Sequence, residues 1–144
     1  NNGKLLMAVY VSTTFDPQSN FLDFTPAASL EIPTDTTLLL ADTSTVFAMQ
    51  TGYSSLKSSV YISTVRSFNL QNGATSLYDG NLIAKDNITL NLSPWTGAST
   101  VIAKKTNGSG QTNFVLSTLE LQKLDGNANI SLFFNKILHT EFGL

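Results

Sequence analysis

Residues 86–93, DNITLNLS, alternate strictly between hydrocarbon and neutral polar side chains. Ile88, Leu90 and Leu92 fall on one side of an extended chain; Asn87, Thr89, Asn91 and Ser93 fall on the other. A two-residue period predicts a half-buried β-strand. The expectation is that the Ile88–Leu90–Leu92 face enters the core. Its amide-and-hydroxyl face would then meet water, a sugar or another subunit. KLLMAVYVSTTF, residues 4–15, is apolar on both faces in its first half, with Leu5, Met7, Val9 and Val11 on one side and Leu6, Ala8 and Tyr10 on the other. Such a run predicts a strand deep in a sheet.

Further short runs follow. NFLDFTP (20–26) and ASLEIP (28–33) are strand candidates bounded by prolines, as sheet ends and edges are. Residues 37–41 and 45–50 give two more, too rich in threonine for helix interiors. Asn72-Gly73 and Asp79-Gly80 separate three runs in the middle of the chain. Such dipeptides favour the left-handed backbone of two-residue hairpins, so a meander is expected there. TNFVLSTLELQKL reads as a strand with Val115, Leu119 and Leu121 on one face, against a rival helix through Leu116, Leu119 and Lys123. Asp125-Gly126 then turns into NANISLFFNKILHTEF, where Ile130, Leu132 and Phe134 share a strand face. SPWTGAST and KKTNGSGQ read as loops. The pattern predicts an all-β chain, an antiparallel β-sandwich of jelly-roll type, as one domain over residues 1–144.

Composition changes that picture in one respect. Only 12% of residues are charged, about half the usual share, and polarity comes instead from 18 Thr, 16 Ser and 13 Asn. Twenty Leu and nine Phe against a net charge of −2 oppose disorder. Eight basic residues, paired only at Lys104-Lys105, are too few and too scattered for a nucleic-acid partner. Cysteine is absent, which excludes disulfides, cysteine-based zinc sites and thiol chemistry. No run of about 18 apolar residues predicts a membrane span, and no charged segment followed by an apolar one opens the chain. The start NNGKLL fits a processed N-terminus or a domain of a longer protein.

Candidate chemistry is sparse. His139, the single histidine, alternates with Glu141 onto one predicted strand face, but no nucleophile elbow accompanies the pair. The acids sit mostly at turns, where Asp serves backbone geometry. No calcium-loop or phosphate-loop spacing occurs, and no catalytic residue, metal or cofactor is expected. Trp95, in a Pro/Gly loop, is the leading ligand-contact candidate, followed by Tyr53 and Tyr78 near turns. The competing reading of Trp95 is a cap over the core. Asn87, Asn107 and Asn129 head Asn-x-Ser/Thr sequences that would accept N-glycans on an exported surface; Asn91 does too, weakened by Pro94 after its serine.

The profile is similar to surface-exposed β-domains of filaments, virion spikes and fibre heads, although no motif carries a family resemblance. Neutral polar faces can be covered by a copy of themselves without desolvating charge. The first expectation is therefore a non-enzymatic structural subunit of an extracellular or virion-surface assembly, with itself as partner. Leu5, Met7, Val9 and Val11 are its assembly candidates, because a bi-apolar first strand can complete its own sheet or a neighbour's. The second is a receptor- or carbohydrate-binding head. A small hydrolase resting on His139 is the third.

Overall fold

The computed structural model describes residues 3–8, 27–31, 37–42, 45–47, 52–62, 65–70, 74–125 and 127–144. The expected strand at 20–26, Asn72-Gly73, Gly126, Val9 and Val11 lie outside these residues, as does the side chain of Met7.

The fold is mostly β, in chiefly antiparallel sheets. Its centre is a four-stranded sheet in the order β1 (Leu5–Ala8), β11 (Thr112–Ser117), β10 (Thr100–Thr106), β7 (Ala74–Asp79). A second sheet runs β3 (Thr37–Leu40), β8 (Ile83–Asp86), β9 (Leu92–Pro94). Two strand pairs complete the set: β2 (Ala27–Glu31) with β6 (Ser67–Leu70), and β4 (Val46–Phe47) with β5 (Leu56–Lys57).

The burial of β11 explains its sequence. Phe114, Val115, Leu116 and Ser117 are all buried, so both faces of the strand are covered. Val115 joins the main core with Val101, Ile102, Leu77 and Phe133, whereas Phe114 and Leu116 pack with Ala103 and Phe68 in a smaller cluster. A register shift on each side of Ile102 in β10 lets consecutive Val101 and Ile102 both reach the main core, as a bulge does.

Several expectations change. Among the described strands β1 is not central: it lies at the end of the sheet order, parallel to β11, with Leu5 half exposed and Leu6 against the core. The meander is replaced by strands that switch sheets, since β6, β7 and β8 pair with β2, β10 and β3. Gly80 therefore serves close approach rather than a hairpin. A Cβ at that position would lie 2.7 Å from Cδ1 of the buried Phe47 ring. Consecutive strands pair antiparallel at β4–β5, β8–β9 and β10–β11, the last through a loop at Asn107–Gly110, where Gly110 takes φ +80°.

The strand expected through residues 112–124 ends at Ser117, and Leu121–Lys123 forms a 3-10 turn. The C-terminal segment is not a strand. Asn127–Asn135 is a helix, α1, continued by a wider π-type turn over Lys136–Glu141. Phe133 and Ile137 are buried and Ile130 and Phe134 pack against the core, while Leu132 is exposed. That is the i, i+3, i+4, i+7 stripe of an amphipathic helix.

Candidate functional site

The most distinctive surface is the β8–β9 hairpin. Asp86 at the end of β8 turns the chain: its Oδ1 accepts hydrogen bonds from the amides of Ile88 and Thr89, both at 2.8 Å. Its own amide donates to the carbonyl of Asn91 at 3.0 Å. The amide donors of Thr89 and Ile88 hold the Asp86 carboxyl below its usual range. The turn occupies Asn87–Thr89, so the predicted strand is interrupted where its alternation looked strongest. Ile88, Leu90 and Leu92 do not enter the core: they are 75%, 64% and 62% exposed. Leu90 also adopts φ +62°, the one non-glycine residue with positive φ among the described residues.

Toward the base of this hairpin lies a cleft of about 370 Å³, lined by Leu82, Ile83, Leu92, Ser93, Pro94 and Trp95 among others. Trp95 forms its wall. The Trp95 amide donates to the Leu82 carbonyl at 3.0 Å, and the indole Nε1 donates to the Ala98 carbonyl at 2.8 Å. The ring lies over Gly97, where a Cβ would sit 2.0 Å from Cζ2. Trp95 is half-buried against the core edge, where it packs on the core and also borders the cleft.

The two tyrosines belong to another region. Tyr78 is fully buried and its hydroxyl donates to the Ser54 carbonyl at 2.9 Å, so it offers no surface contact. Burial pushes its pKa up to about 12. Tyr53 packs edge-on to Tyr78, with ring centres 5.6 Å apart, and donates through its hydroxyl to Glu141 Oε1 at 2.7 Å. Lys104 Nζ and Thr112 Oγ1 both donate to Glu141 Oε2 at 2.7 Å. Burial works against the Glu141 anion, but the hydrogen bonds from Lys104, Tyr53 and Thr112 outweigh it and keep the carboxyl below its ordinary value. Burial and the adjacent Glu141 anion raise Tyr53 well above the usual phenol range. A carboxylate so supplied with donors is a poor proton acceptor. The cluster fastens the C-terminal helical segment to β10 and β11 beside a polar cleft of about 350 Å³.

His139 and Glu141 do not meet. His139 is exposed, with Nδ1 2.5 Å from the Leu144 carbonyl, because helical rather than extended spacing directs the two side chains apart. Asn87 is exposed in the hairpin turn. Asn107 Oδ1 accepts from the Ser109 amide and hydroxyl and the Gln111 amide, while Asn129 lies in α1 and donates to Asp125 Oδ2 at 3.1 Å. Among the described residues no cluster of three His, Cys, Asp or Glu side chains could hold a metal, and no helix is long and apolar enough to cross a membrane.

Sequence reasoning missed the exposure of the Ile88–Leu90–Leu92 face. The signal was Asp86-Asn87, a pair suited to a side-chain-capped turn, sitting inside the alternating run. Nothing local marks the Glu141 cluster, whose other members lie 29 to 88 residues from Glu141. Comparison with known protein families, curated proteins and solved structures finds no match.

Proposed function

We propose that this chain is a single β-sandwich or jelly-roll-like domain acting as a non-enzymatic structural subunit of an extracellular or virion-surface assembly, a filament, spike or fibre component that builds by self-association. The observation that carries the reading is the Ile88–Leu90–Leu92 group: three large aliphatic side chains held in water on one hairpin. Scattered surface leucines need no explanation, but a contiguous apolar patch marks an interaction site. From Asn87 through Ala103 the chain carries no charged residue, so covering this stretch desolvates few ions, Lys85 and Asp86 at the end of β8 being the ones beside it. The neutral Ser, Thr and Asn surface supports an extracellular or virion setting by compositional association.

The test is native mass by light scattering across a concentration series, with negative-stain images of the same sample. Closed particles or polymers formed without ligand are the expected result. A monomer at every concentration refutes the reading.

The cleft beside Trp95 favours a second reading, a receptor- or carbohydrate-binding head. A flat indole face beside an apolar recess suits a sugar ring. Glycan-array binding that Trp95→Ala abolishes, with the fold retained, would select it over the first.

A further inference from the structure

We propose that the β8–β9 hairpin is a reciprocal docking device for a second copy of this chain, the Ile88–Leu90 tip of each copy seated in the Leu82–Trp95 cleft of the other. The proposal rests on the self-association reading above and names its contact.

Three observations converge on it. The first is backbone strain. A leucine at φ +62° is costly, because its Cβ crowds the following carbonyl; glycine and asparagine take this region far more readily. Strain of this kind persists where the conformation serves a function. Here the strained residue is also 64% exposed, so core burial does not account for the choice of leucine. The second is the pairing of projection and recess. An apolar cavity of about 150 Å³ admits benzene, so a cleft of 370 Å³ has room for the two aliphatic side chains of the tip. Tip and cleft share one hairpin, so a two-fold arrangement satisfies both at once, and the contact closes as a dimer. The third is area and charge. The three exposed aliphatic side chains alone offer on the order of 400 Å² of apolar surface, about half of what each partner buries in a stable complex. The stretch from residue 87 to residue 103 is uncharged; the charges nearest the tip are Lys85 and Asp86 at the end of β8, which are of opposite sign.

The contact is made by side chains rather than by sheet extension. β9 is the edge of its sheet, and Pro94 removes one amide from that edge.

Sedimentation velocity over a concentration series tests the proposal, with wild type, Leu90→Asn and Leu92→Asn compared. Asparagine tolerates the left-handed backbone, so Leu90→Asn should leave the thermal midpoint unchanged or higher while weakening dimerisation by at least about tenfold. Leu92→Asn should weaken it similarly without the gain at the backbone. If wild type assembles and both variants assemble equally well, the hairpin contact is overturned while the structural-subunit reading stands. If wild type stays monomeric throughout, both fail.

Discussion

Tyr53 and Glu141, 88 residues apart, meet across 2.7 Å, and the same carboxylate accepts from Lys104 and Thr112 on adjacent strands of the central sheet. The C-terminal helical segment is thus tied to the sheet through one anion. Its side chain is only 7% exposed, so removing it leaves donors that water reaches poorly. Glu141→Ala should cost about 2 kcal/mol and Tyr53→Phe about 1 kcal/mol in urea unfolding. Because the two share a bond, the double variant should lose less than the sum, with a coupling above about 0.5 kcal/mol. Strict additivity would show that the contact contributes nothing.

The same cluster sets the acid limb of stability. Glu141 ionises below its ordinary value of 4.5 when folded. The unfolded chain therefore takes up the proton first as pH falls. The stabilisation is fully present above the unfolded value and is lost as pH drops through the folded one. Denaturation midpoints measured from pH 7 to pH 2.5 should fall below about pH 4.5, and Glu141→Gln should flatten that fall. On the alkaline side the sign reverses. Tyr78 is raised from 10.0 to about 12, so the stability it contributes is present below pH 10 and lost as pH rises through that interval.

Gly80 touches the ring of Phe47, and the ring has no room to retreat. An added methyl would meet Cδ1 at 2.7 Å and Cε1 at 2.8 Å of a side chain with no exposed surface. Gly80→Ala should cost about 1–3 kcal/mol by overpacking. Gly97→Ala provides the contrast. There the clash is with the half-buried indole of Trp95, which can swing outward, so the stability change should be smaller. Trp95 is the sole tryptophan, and its emission should shift to the red as it becomes more exposed. An unshifted spectrum would place the indole elsewhere than against Gly97.

How far the sequence spoke depends on what decided each element. β11 is legible as a run of β-formers from Thr112, whereas β10 is not: its last residues, Lys104–Thr106, read as part of the KKTNGSGQ loop, and Thr100 as part of SPWTGAST. Two-residue alternation in 86–93 was real but served exposure, and alternation cannot say which face meets water. The turn at Asp86 was legible in residue type, yet the left-handed Leu90 contradicts local preference and could not be anticipated. Asp79-Gly80 looked like a hairpin because close backbone approach and turn geometry both select glycine. Trp95 was legible as a loop aromatic, but Tyr78 was not legible as core, since a tyrosine beside Asp-Gly resembles a surface residue until Phe133 and Tyr53 close over it. The Glu141 cluster depends on contacts between distant segments, which no local pattern encodes.

The C-terminal segment separates two periods that its sequence satisfies together. Ile130, Leu132 and Phe134 fit a strand; Ile130, Phe133, Phe134 and Ile137 fit a helix. In the helix Phe133 is 1% exposed and packs edge-on to Tyr78 with ring centres 5.9 Å apart, whereas Leu132 is 49% exposed. Substitution discriminates the two directly. Phe133→Ala should cost about 3–5 kcal/mol, the range for emptying an aromatic site in a core. Leu132→Ala should fall within about 0.5 kcal/mol of wild type, since an exposed position loses little burial and alanine is the better helix former. A strand would invert the order, with Leu132→Ala severe and Phe133→Ala mild. Chemical denaturation of the two single variants therefore reads out which period the core selected.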